Sequence, residues 1–119
     1  MDIKKKLITT TPKLMTKPYI DTEHTQHGTG VKYVIRTFLR DVDEQELVWH
    51  RDDSNRTVHV LRGSGWKLQK DDELPLDLET GKDYYILRDE YHRLLKGEED
   101  LVLRIENVKK SMSWLCNVL

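Results

Sequence analysis

A single cysteine, Cys116, stands in the whole chain of 119 residues. No internal disulfide can form, no cysteine pair can hold a metal, and Cys116 reads as a half-buried free thiol. Long apolar runs are also missing. Nothing approaches the roughly 20 residues that a helix needs to cross a bilayer, and the opening MDIKKKLITTTPKL lacks the apolar stretch of a signal peptide. A cytoplasmic protein with no membrane partner is the expectation. Charge of one sign is not in excess either: 20 Lys and Arg stand against 21 Asp and Glu, giving a net charge of −1. With the two signs mixed along the chain, no field gathers nucleic acid or an anionic membrane. The basic run Lys4 to Lys6 reads as a solvated tail. Helical periodicity is nearly absent, and there is no internal repeat or low-complexity segment.

Against these absences stand 37% apolar and 34% charged residues, the apolar ones clustered in alternating runs, so one domain with a real core is expected. Residues 1–30 hold Pro12, Pro18 and DTEHTQHGTG, which reads as an N-terminal extension of loop with at most one short strand. Residues 31–119 read as a single β-domain. In VKYVIRTFL, the set Val31, Tyr33, Ile35, Thr37 and Leu39 suits a strand with one buried face. ELVWHRD follows as a second strand, and RTVHVLRG as a third with Arg56, Val58 and Val60 on one face. GSG makes a tight turn at Gly63 and Gly65, WKLQ and LPLDL pair around KDDE, and Pro75 puts its strand at an edge or a strand start. DYYIL and LVLRIE complete an all-β sandwich or small barrel. The tail VKKSMSWLCNVL reads equally as a last strand or a short amphipathic helix.

Residues two apart in a strand share a face, so His50 and Asp52 project together with Val48. A buried carboxylate and imidazole need partners. Three are available: a divalent metal, the Arg56 guanidinium, or water at an open barrel mouth. A metal requires a third ligand, and GKDYYILRDEYHRLLKG supplies His92.

These two segments resemble the two halves of the cupin signature. For the first half, G-x5-H-x-H-x(3,4)-E-x6-G, His50 matches the first His, Asp52 stands at the second, Arg56 at the Glu and Gly63 at the closing Gly, with Glu44 in place of the opening Gly. For the second half, G-x5-P-x-G-x2-H-x3-N, Gly81 matches the opening Gly and His92 the His, while Leu87, Asp89 and Lys96 replace Pro, Gly and Asn. The resemblance spans residues 31 to 106 and resides mainly in spacing. It implies a small cupin-type barrel, a double-stranded β-helix or jelly-roll, similar to stand-alone cupins of the kind associated with tailed phages.

Cupins with the full pattern bind metal through three imidazoles and a carboxylate. This chain offers His50, Asp52 and His92 instead, the two-His, one-carboxylate set of mononuclear non-haem Fe(II) oxygenases. The resemblance therefore implies a divalent metal, Fe(II) favoured, and oxidation or oxygenation of a small anionic molecule, with isomerisation behind. Arg56 would orient the anion, and Gln69 and Tyr85 are further substrate-binding candidates. The alternative is a non-catalytic cupin for a small ligand or a protein partner, in which Asp52 and Arg56 form an ion pair where the metal would sit. A structural or assembly role is a third reading. Arg104 is a tempting anchor for a 2-oxoglutarate cosubstrate, but Leu101, Leu103 and Ile105 form the inward set and turn it outward. His59 reads as a surface or interface residue. His24 and His27 lie in a loop without the residues that would complete a metal site. Trp66, Tyr84, Tyr85 and Tyr91 read first as core or wall. Trp49 and Arg51 point away from His50, and an exchanged N-terminal arm would suit a homodimer.

Overall fold

The computed structural model describes residues 17–108, so Lys4 to Lys6, Cys116 and the tail after Val108 lie outside the described residues. The strands are β1 (Ile20–Thr25), β2 (Lys32–Phe38), β3 (Asn55–Arg62), β4 (Lys67–Lys70), β5 (Leu76–Asp77), β6 (Asp83–Ile86), β7 (His92–Leu95) and β8 (Leu101–Val108). They form a five-stranded sheet in the order β1-β2-β8-β3-β6 and a three-stranded sheet in the order β5-β4-β7. Every pairing is antiparallel. The all-β, two-sheet architecture is the one that the alternating runs predict. No helix among the described residues is long and apolar enough to cross a membrane.

Register explains which side chains meet. Ile105 lies opposite Val34 on one side and Val58 on the other, and Leu103 opposite Arg36 and Val60. With Leu101, Phe38 and Ile86 these residues make the inner face of the large sheet, and Leu68, Leu78 and Trp66 close the core. Trp66, Leu101 and Val60 are fully buried. The Trp66 indole donates to the Glu99 carbonyl at 2.6 Å, so its one polar atom does not go unpaired in the core. Lys70 bridges the two sheets, its Nζ donating to the Tyr85 carbonyl at 2.8 Å.

The GSG turn is built as expected. Gly63 has φ 125°, and a Cβ there would stand 2.8 Å from the Asp100 carbonyl oxygen, so only glycine lets β3 leave beside the start of β8. Pro75 directly precedes β5, the edge strand of the small sheet. Asp89, which stands where the cupin pattern has its second Gly, has φ 63°. That is the left-handed region, which Asp tolerates better than most residues, so the turn before His92 survives the replacement.

Two expectations are corrected. The buried face of β2 is Val34, Arg36 and Phe38, not the set containing Tyr33, Ile35 and Thr37, as the pairing of Phe38 with Leu101 requires. Arg36 made the true inner set look polar. Its guanidinium forks onto Asp21 from Nε at 2.8 Å and Nη2 at 2.9 Å and lies 3.6 Å from the Tyr19 ring centroid, so its charge is compensated at the mouth of the sheet pair while its stem packs inward. The second correction concerns ELVWHRD, which is not a strand. Asp43 caps a single 3-10 turn, Glu44–Glu46, by accepting from the Gln45 amide at 2.9 Å. The chain then runs extended to one isolated bridge between His50 and His92.

Candidate metal centre

That bridge sets the site. His50 and His92 exchange both backbone hydrogen bonds, at 3.0 and 2.9 Å, which holds their imidazoles side by side with ring centroids 4.3 Å apart. Two residues on, the Asp52 carbonyl accepts from the Asp89 amide at 2.8 Å. This fixes Asp52 against the turn that leads into His92, and its carboxylate comes back beside the His50 ring. His50 Nε2 lies 3.9 Å from Asp52 Oδ1, and His92 Nε2 lies 3.5 Å from Asp52 Oδ2. One ligand atom from each residue falls within 4.8 Å of the others.

The second nitrogen of each ring decides what the first can do. His50 Nδ1 lies 3.0 Å from the Val48 carbonyl oxygen, and His92 Nδ1 lies 2.8 Å from that of Glu90. A carbonyl only accepts, so both Nδ1 atoms carry a proton and donate it, which turns each Nε2 toward the site as the atom that can offer a lone pair. The same second contact orients histidine ligands at metal centres. Burial lowers the His92 pKa below its ordinary value, with His50 and Arg56 acting in the same direction and the Glu90 carbonyl and Asp52 opposing. His92 is therefore held neutral. Asp52 is 93% buried by side chain, since only 7% is exposed, and its Oδ2 has no hydrogen-bond partner among the described residues. The Nε2 atoms of the two rings and the buried Asp52 carboxyl group thus converge, two nitrogens and an oxygen that together fit a divalent cation.

Arg56 does not resolve that arrangement. Its Nη1 stands 3.5 Å from Asp52 Oδ1, longer than the 2.7–2.9 Å typical of charge-assisted bonds. Its buried Nε also lacks a hydrogen-bond partner among the described residues.

The site borders two spaces that share Arg36, Phe38, His50, Arg56 and Leu94 as lining. A mouth of about 230 Å³ is lined by Tyr19, Arg36, Val48, His50, Asp52 and Arg56. Behind it an apolar sleeve of about 60 Å³ runs between the sheets past Val58, Leu68, Leu78, Ile86 and Leu103, with His50, Arg56 and His92 on its wall. The structure thus brings His50, Asp52, His92 and Arg56 together.

It places Gln69 and Tyr85 elsewhere. Leu68 faces the core, so Gln69 faces outward, accepting from Arg93 at 3.0 and 2.9 Å and donating to the Glu73 carbonyl at 3.0 Å. Arg93 in turn lies over Trp49, 4.7 Å from its ring centroid. Tyr84 and Ile86 line the sleeve, which turns Tyr85 between them to the outer face. Arg104 is outside as well, over Tyr33 and bonded to Glu106, and His59 pairs with Asp83. His24 stacks on Tyr33. Tyr84, which reads from the sequence as core or wall, does line the sleeve, whereas Arg36 and Leu78 carried no signal that placed them there. Tyr19 was also missed, because nothing in the sequence ties residue 19 to a site near residue 56.

No protein-family model matches this sequence, and no curated protein does. Solved structures do match. One is an RmlC-like cupin family protein with a double-stranded β-helix fold from Methanocaldococcus jannaschii, with a TM-score of 0.56 and 12% identity over 78% of this chain and 82% of that one. This chain has the cupin fold. Among other cupin-like neighbours, the DMSP lyase DddQ from Ruegeria pomeroyi DSS-3 gives a TM-score of 0.61 at 8% identity over 79% of this chain and 50% of its own. FeII HppE gives 0.55 at 17% identity over 75% of this chain and 49% of its own. This chain thus spans about half the length of those two, and at such identities the likeness is one of fold.

Proposed function

We propose that this cupin is a metal-dependent enzyme acting on a small anionic molecule. His50 Nε2, His92 Nε2 and the Asp52 carboxylate would hold one divalent cation, with Fe(II) favoured by the mixed nitrogen and oxygen donor set. One observation carries the reading: Asp52 Oδ2 is buried without a hydrogen bond, facing a histidine nitrogen that burial keeps unprotonated. Bound by one carboxylate and two imidazoles, Fe(II) supplies redox chemistry and open coordination positions, so oxidation or oxygenation is the reaction type favoured, with isomerisation behind. The chain's own residues do the rest. The Val48 and Glu90 carbonyls fix the rings, Arg56 orients the anion, and the sleeve keeps water from one side of the site. FeII HppE, an iron form of a protein similar in fold, supports a metal-based reading, and the DMSP lyase DddQ supports an enzymatic one, without specifying the reaction.

A second reading is favoured by the Arg56 to Asp52 contact at 3.5 Å: a non-catalytic cupin in which that ion pair replaces the metal. Anaerobic calorimetric titration with Fe(II) separates the two. The enzyme reading expects one ion per chain and loss of binding in His92→Ala. No stoichiometric uptake, with His92→Ala indistinguishable from the parent protein, defeats it.

A further inference from the structure

We infer that the molecule bound beside this centre is a short aliphatic carboxylate, with its head on Arg56 and a tail of two or three carbons in the sleeve. The inference deepens the proposed function and rests on it for the nature of the neighbouring cation.

The head group follows from which positive charge is left over. Two arginines line the cavity. The Arg36 fork is closed on Asp21, at 2.8 and 2.9 Å, and its face is covered by Tyr19. Arg56 has one loose contact with Asp52 at 3.5 Å and a buried Nε without a partner. The Arg56 side chain lines the cavity and keeps 22% of its surface exposed there with only the loose Asp52 contact, and a guanidinium edge matches a planar carboxylate in two parallel bonds.

The tail follows from the shape of the sleeve. Arg56 and Val58 lie two apart on β3 and face the same way, so Arg56 stands at the rim of a space walled farther in by Leu68, Leu78, Ile86 and Leu103. Those four walls are aliphatic, and the hydroxyl of Tyr84, which also lines the sleeve, is already engaged by the Glu79 amide and the Asp77 carbonyl, which disfavours polyols and sugars at that depth. The sleeve measures about 60 Å³. An apolar cavity of about 150 Å³ takes a benzene ring, and this one is less than half that size. An aromatic ring is therefore too large, and two or three carbons fit. His50 and His92 border the same space, so the carbons next to the carboxylate lie beside the candidate metal centre.

Isothermal titration of the full chain, metal-free and loaded with Zn(II), with sodium butyrate, acetate, benzoate, n-butylamine and inorganic phosphate tests this. Butyrate is expected to bind at least tenfold more tightly than acetate, while benzoate and n-butylamine do not bind. Arg56→Gln should weaken butyrate at least tenfold, and Leu78→Phe, which fills the sleeve, should remove the preference over acetate. Equal affinities for butyrate and acetate, tight benzoate binding, phosphate in preference to butyrate, or no butyrate binding in either state overturns the inference. The ligand series on the unaltered protein decides it even if a variant fails to fold. Zn(II) uptake is read on the same samples: butyrate binding without any ion defeats the metal reading alone, and ion uptake without butyrate binding defeats this inference alone.

Discussion

Replacing Asp52 by Asn removes one charge and almost no volume, and the two readings of the site give it opposite consequences. The Asp52 side chain is 7% exposed and, among the described residues, its Oδ2 has no hydrogen-bond partner and its contact with a guanidinium is 3.5 Å long. In the metal-free protein the amide relieves a buried carboxylate of its desolvation cost and gives up only that loose contact, so stability should stay within about 1 kcal/mol of the parent or rise. If the ion pair with Arg56 were the design, Asp52→Asn would strand a cation whose side chain is 22% exposed. Losing one partner of a buried pair costs about 3–5 kcal/mol, with partial solvation of Arg56 favouring the lower end. The effect of metal separates the readings again. A cation at a hundredfold excess over its Kd stabilises the folded state by about 2.7 kcal/mol, which at roughly 4 °C per kcal/mol for a domain of this size raises Tm by roughly 10 °C. Differential scanning calorimetry with and without Co(II) should show that rise for the parent and none for Asp52→Asn. A large loss of stability in metal-free Asp52→Asn, together with no effect of Co(II) on the parent, would refute the reasoning.

Other consequences can be read from the same geometry. Because the folded-state pKa of His92 is lowered, the unfolded chain binds more protons between that value and about 6.5, so the stability of the metal-free protein should fall as pH drops below about 6.5 and level off beneath the folded pKa; urea titrations across pH 4–8 check this, and a flat profile contradicts it. Leu101 is fully buried opposite Phe38, so Leu101→Ala should cost about 2–5 kcal/mol in urea denaturation. Gln69→Ala should leave metal and butyrate affinities within about twofold, since Gln69 bonds Arg93 and the Glu73 carbonyl on the outer face; a tenfold loss would show that the site extends through the small sheet.

The residues that were legible in the sequence are those whose placement follows from local geometry. His50 and Asp52 were expected to share a side because residues two apart in a strand do, and their side chains do converge although one isolated bridge replaces the expected strand. His92 was legible through its spacing from Gly81, which Asp89 preserves by adopting a left-handed φ. Where the reading failed, a polar residue sat on a buried face or a register was needed. Arg36 disguised the inner face of β2, because its charge reaches Asp21 and Tyr19 at the rim rather than solvent. Tyr85 and Gln69 were assigned to the cavity by type, whereas the alternation of Tyr84 with Ile86 and the inward Leu68 put both on the outer face. Tyr19 and Leu78 reach the cavity only through contacts distant in sequence, which no local pattern encodes.

The account depends most on three donor atoms closing around one ion. Anomalous X-ray scattering from crystals grown with Co(II) tests that most directly. A single strong peak enclosed by His50 Nε2, His92 Nε2 and a carboxylate oxygen of Asp52, absent in crystals of His92→Ala, is the predicted result. No peak there, with the Arg56 guanidinium closed onto Asp52 in its place, would contradict it.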